Sequence, residues 1–167
     1  FNFCGSPIAW IAPTFTDNCP GMTVVASHTN GSVFPIGTTV VTYTATDISG
    51  NVTVCTFNIT ITDTQVPQIT NCPPNITVSG NPSCSAVVSW TVPSAFDNCP
   101  GVVLTSTHNP GDVFTLGTTT VVYTATDAVN NTITCSFDVI VTDNSGPVIT
   151  NCPVNINVSN DAGVCGA

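Results

Sequence analysis

From Cys55 to Thr62 apolar and polar residues alternate without a break. Cys55, Phe57, Ile59 and Ile61 fall on one side, and Thr56, Asn58, Thr60 and Thr62 on the other. A period of two marks a strand with one buried and one wet face. Cys135, Phe137, Val139 and Val141 repeat the pattern. Val41, Tyr43 and Ala45 alternate with Thr42, Thr44 and Thr46, and Ala86, Val88, Trp90 and Val92 form a further apolar row. Thr, Val and Ile suit such strands because branching at Cβ fits a pleated surface. Gly, Pro, Asn and Asp separate the runs as turn formers, and no run has helical periodicity. About seven short strands per repeat are expected, in two stacked antiparallel sheets with the apolar rows between them.

The chain matches itself at an offset of 80 residues. Asp17-Asn18-Cys19-Pro20-Gly21 recurs as Asp97-Asn98-Cys99-Pro100-Gly101, Tyr43-Thr44-Ala45-Thr46-Asp47 as Tyr123-Thr124-Ala125-Thr126-Asp127, and Ile69-Thr70-Asn71-Cys72-Pro73 as Ile149-Thr150-Asn151-Cys152-Pro153. Trp10 matches Trp90, His28 matches His108, and Cys4-Gly5 matches Cys165-Gly166. The expected organisation is a repeat over 1–65 lacking its first strand, a complete repeat over 66–145, and the opening segment of a third over 146–167. This is how a window on a longer array would look. The linkers, Asp63 to Pro67 and Asp143 to Pro147, are short and end in Pro, which fixes φ, so a stiff rod is expected.

Composition narrows the function. The chain has 167 residues and nine cysteines. Such a density belongs in an oxidising compartment, where disulfides supplement small cores. Zinc would need close pairs such as C-x-x-C, and there are none. Lys, Arg and Glu are absent, and nine Asp give a net charge of −9. A chain with no Lys or Arg makes no electrostatic partner for nucleic acid or an anionic membrane. No apolar run approaches the roughly 18 residues of a membrane helix, so membrane insertion is not expected.

The chain resembles the hyalin repeat, or HYR, domain family. The resemblance rests on Cys72-Pro73, Trp90, Asp97-Asn98-Cys99-Pro100, Gly117-Thr118-Thr119-Thr120-Val121, Tyr123-Thr124-Ala125-Thr126-Asp127, Cys135-Ser136-Phe137 and Val141-Thr142-Asp143. It covers essentially the whole chain. It implies an immunoglobulin-like sandwich from an extracellular adhesion or scaffolding protein, and it names no ligand. One departure is that Asp127-Ala128-Val129-Asn130-Asn131 lacks the glycine of Asp47-Ile48-Ser49-Gly50-Asn51. Asn tolerates positive φ, so the turn is expected to survive.

Four cysteines per period allow three pairings. Cys19 precedes a strand run and Cys55 begins the last strand; Cys72 and Cys84 flank the first. The expected pairs are Cys19–Cys55, Cys72–Cys84, Cys99–Cys135 and Cys152–Cys165, with the partner of Cys4 outside the window. Asp17, Asp47 and Asp63 recur as Asp97, Asp127 and Asp143. Recurring hard oxygen ligands near domain ends suit Ca²⁺; the competing role is to open turns by accepting backbone N–H bonds. Asn30, Asn51, Asn58, Asn75, Asn130 and Asn157 head glycosylation sequons. The two His lack catalytic partners and no Gly-x-Ser-x-Gly signature is present, so no enzyme is expected. The reading is a secreted or surface stalk or fibre whose partners are neighbouring repeats or copies of itself, end to end. The alternative is a module in which each repeat binds a surface glycan or protein; the aromatics on buried rows argue against it.

Overall fold

The computed structural model describes residues 4–159 and 162–163. They are all-β, in two immunoglobulin-like sandwich repeats. The first contains β1 (Ser6–Pro7), β2 (Thr23–Ala26), β3 (Val33–Phe34), β4 (Gly37–Thr46) and β5 (Val52–Ile61). The second contains β6 (Gln68–Thr70), β7 (Ile76–Ser79), β8 (Ser85–Val87), β9 (Ser94–Phe96), β10 (Val103–Ser106), β11 (Val113–Thr115), β12 (Gly117–Thr126) and β13 (Thr132–Thr142).

Corresponding sheets have the order β2-β4-β5 and β10-β12-β13-β7. The long hairpins β4–β5 and β12–β13 are in the same register, Tyr43 opposite Cys55 and Tyr123 opposite Cys135. The facing layer is β1–β3 in one repeat and β8–β11 in the other. In the second repeat β7 runs parallel to β13, Val139 opposite Ile76. Among the described residues β5 pairs with β4 alone.

The alternating rows become the core. Val88 and Phe114 from one layer meet Val121, Tyr123, Phe137, Val139 and Val141 from the other, with Trp90 packed alongside. Phe34, Val41, Tyr43 and Ile59 are the first-repeat counterpart, with Trp10 and Phe57 against them. Each indole crosses its core to the phenol opposite: Trp10 Nε1 donates to Tyr43 Oη at 2.9 Å and Trp90 Nε1 to Tyr123 Oη at 2.8 Å. A half-buried indole N–H needs such a partner. The row Ala86, Val88, Trp90, Val92 stops at the tryptophan, since Val92 is exposed. Asn130 replaces Gly50 with the same hand, φ 72° against 88°, and the turn survives the missing glycine.

Candidate functional site

The disulfides join the repeats differently from the sequence expectation. Cys72 bonds Cys135 and Cys4 bonds Cys99, with Cα–Cα distances of 6.0 and 4.8 Å. The pairs Cys72–Cys84 and Cys99–Cys135 are therefore corrected, as is an external partner for Cys4. Cys19 and Cys55 are exposed and unbonded. Cys152 is exposed too, and its expected pairing with Cys165 lies outside the described residues. The strand β7 lies between Cys72 and Cys84, and at about 3.3 Å per residue it keeps them apart. Cys84 continues into the opposing layer, while Cys72 enters beside β13, where Cys135 lies. Cys99, in the loop after β9, turns toward the preceding repeat and meets Cys4 there.

The Cys4–Cys99 bond ties the two repeats together at their junction. The two ends of the linker, Asp63 and Pro67, are buried, while Thr64, Gln65 and Val66 between them are exposed. Asn131 Nδ2 donates to the backbone oxygens of Asp63 at 3.2 Å and Gln65 at 3.1 Å, clamping the linker to the β12–β13 turn. Asp127 orients that amide, accepting from Asn131 Nδ2 at 2.8 Å and Asn131 N at 2.7 Å. Burial pushes the Asp127 carboxyl up, but these bonds, with backbone N–H groups of the turn, outweigh it and hold it below its ordinary value. Asp47 is held low chiefly by the Asn51 side chain, at 2.6 Å, and then by the Asn51 backbone. Beyond the linker, β6 pairs with β9, and Asn75 Oδ1 accepts from Asp138 N at 2.9 Å beside β13. The linker clamp escaped the sequence reading, although Asn51 and Asn131 recur in the same block.

Most of the six candidate calcium ligands serve local turns. Asp17 accepts from Asn18 N, Asp63 from Gln65 N and Asp143 from Ser145 N, while Asp47 and Asp127 hold their own turns. Asp63 and Asp97 approach each other, with ligand atoms within 4.8 Å, in a group with Cys99. The sulfur of Cys99 is committed to Cys4 and offers no thiolate. Asp97 Oδ1 and the neighbouring Asn98 Oδ1 are buried without a hydrogen-bond partner. The six sequon asparagines are all exposed. No helix among the described residues is long and apolar enough to cross a membrane.

The HYR domain family model matches residues 1–61 and 62–141. The chain is 40% identical over 140 residues to mouse "Sushi, von Willebrand factor type A, EGF and pentraxin domain-containing protein 1", covering 80% of this chain and 4% of that protein. It is 42% identical over 156 residues to "Hyalin" of Strongylocentrotus purpuratus, covering 87% of this chain and 13% of that protein. Among solved structures, a protocadherin gammaB7 ectodomain superposes with a TM-score of 0.34 at 15% identity, over 83% of this chain and 51% of that one; this likeness is too loose to carry an argument. With two matched copies and relatives at this identity, the chain belongs to the HYR domain family.

Proposed function

We propose that this chain is a structural and adhesive segment of an extracellular surface protein or filament, acting as a stiff, non-catalytic stalk or fibre. The observation that carries this reading is the junction. One short linker, one side-chain clamp and one disulfide fix neighbouring repeats to each other. A flexible string of independent binding modules has no need of such a joint. Among the described residues only one aromatic, Phe96, is strongly exposed, so the repeats lack the aromatic face of a glycan- or peptide-binding module. Electron microscopy of the native assembly is expected to show uniform rods or fibres. Discrete globular particles would reject the reading.

The buried, unpartnered Asp97 Oδ1 and Asn98 Oδ1 beside Asp63 favour a second element, a Ca²⁺ held at the junction. Buried acceptors normally have partners, and no Lys or Arg is available to supply one. Asp63, Asp97 and Asn98 would provide the oxygens, and the ion would reinforce the joint by binding only the folded state. Calcium is expected to raise the melting temperature of the parent chain and to leave Asp97→Asn largely unchanged. Equal melting of the parent with calcium and with chelator would reject the site.

A further inference from the structure

The turn between β12 and β13 differs from its first-repeat counterpart in a way that its own geometry does not require. Both turns need a residue with positive φ, and Gly50 meets that need in the first repeat at 88°. The second repeat has Asn130 there, at 72°. Asparagine is among the few residues that accept this conformation, yet its side chain closes no bond of the turn. Asp127 Oδ1 accepts from Val129 N at 2.9 Å and from Asn131 N at 2.7 Å. Asp127 N donates to Asn131 O at 3.1 Å, and Asn130 N donates to Asp127 O at 3.3 Å. The turn is closed by these bonds alone, and the Asn130 amide is left free of them.

Asn130-Asn131-Thr132 is an acceptor sequence for an N-linked glycan, which needs an asparagine and then Ser or Thr two residues on. Asn130 and Thr132 are both exposed, and both lie in the complete repeat. The other sequons are less free. Asn51 Nδ2 donates to Asp47 Oδ2 at 2.6 Å and Asn30 Nδ2 to Trp10 O at 2.6 Å, so the nitrogen that would take the sugar is already bound into the fold. Asn75 holds Asp138 N through its Oδ1 at 2.9 Å. Asn58 and Asn157 belong to repeats that this sequence covers only in part, where exposure carries no weight.

The structure assigns Asn130 as the site of an N-linked glycan that stands beside the repeat junction and shields its linker. This inference rests on the extracellular reading above. The donor is an oligosaccharide carried on a lipid diphosphate. The bond from its first sugar carbon to the diphosphate oxygen breaks, and that carbon bonds to Asn130 Nδ2. The amide nitrogen gives up one proton, and the lipid diphosphate leaves. Asn131, next in the chain, holds the linker through Gln65 O at 3.1 Å. The glycan therefore rises beside Thr64, Gln65 and Val66, the exposed middle of the linker. Exposed connecting segments are where proteases cut, and a bulky hydrophilic group there blocks their approach without entering the joint. Its attachment leaves the bonds of Asp127 and Asn131 in place.

The test begins with native material, reduced, alkylated and cut before each Asp (no Lys or Arg is present for trypsin). The fragment from Asp127 to Phe137 contains a single sequon. It is expected to carry a glycan whose enzymatic release in heavy-oxygen water marks position 130. The 167-residue chain secreted from cultured animal cells is expected to behave alike. There Thr132→Ala is expected to lose this glycan and Thr132→Ser to keep it. Asn130→Gly is expected to lose it and to melt with the Thr132→Ala variant, because glycine holds the same φ. A protease of broad specificity is expected to cut between Asp63 and Pro67 several-fold faster in Thr132→Ala than in the parent. An unmodified Asn130 in native material overturns the site, as does an unmodified Asn130 beside an occupied Asn75 in the secreted chain. Equal cutting of the two linkers overturns the shield. None of these outcomes touches the extracellular reading, which falls only if the native protein is found inside the cell with Cys4 and Cys99 as thiols.

Discussion

Replacing Cys72 and Cys135 with serine is expected to lower the stability of the second repeat by about 4 kcal/mol while the first repeat melts as before. The bond closes a loop with a sequence separation of 63 residues, and the chain-entropy model gives about 4 kcal/mol for a loop of that size. For a domain of this size each kcal/mol moves the melting temperature by roughly 4–8 °C, so a fall of roughly 15–30 °C follows. Trp10→Phe in both parent and variant leaves Trp90 as the fluorescent reporter of the second core. Coincident melting curves would show that β7 stays on β13 without its staple. Cys135 lies in the core cluster, so a buried serine hydroxyl there adds a desolvation cost to the loss of the crosslink.

Phe137→Ala is the larger of two paired core truncations. Phe137 is 3% exposed and meets Trp90 edge-on at 5.2 Å, inside a cluster closed by Ile76 and Val78 of β7. A buried phenylalanine truncated to alanine costs about 3–5 kcal/mol in transfer and cavity terms. Phe57 occupies the same place in the first repeat and meets Trp10 at 5.6 Å, but it is only half-buried because, among the described residues, β5 has no second strand beside it beyond β4. Phe57→Ala is therefore expected to cost clearly less. Calorimetry on the two variants decides the matter. Equal losses would mean that β7 adds nothing to the burial of Phe137.

Much of this fold could be read from alternation alone. Val41, Tyr43 and Ala45, and their counterparts Val121, Tyr123 and Ala125, are buried as the period of two requires, because a half-wet sheet enforces that pattern wherever it packs. The disulfide partners were not legible, for a definite reason. In a tandem repeat, a cysteine and its copy one period away have the same local sequence, so spacing cannot separate a bond within a repeat from one between repeats. Cys99 bonds Cys4 across the junction, yet its spacing to Cys135 equals that of Cys19 to Cys55. The parallel placement of β7 on β13 was equally hidden, since pairing direction depends on where a connection travels and not on which residues alternate. The linker clamp was half visible. Asn131 belongs to a repeated block, but its bonds to Asp63 and Gln65 oxygens depend on the docking of two repeats.

The overlap of the two crosslinks also decides how the chain answers a mechanical pull. Cys72 lies inside the segment spanned by Cys4–Cys99, and Cys135 lies beyond it, so the two covalent loops overlap along the chain. Tension entering at Cys4 passes directly to Cys99, bypassing a stretch with a sequence separation of 95 residues. Fully extended at about 3.3–3.6 Å per residue, that stretch would release about 310–340 Å of slack, none of which is available while the sulfurs stay joined. Proteins that yield under load by unravelling domains depend on such hidden length. Between Cys4 and Cys99 that length is withheld until a reductant opens the bond, and only residues outside the loop can extend under load before then.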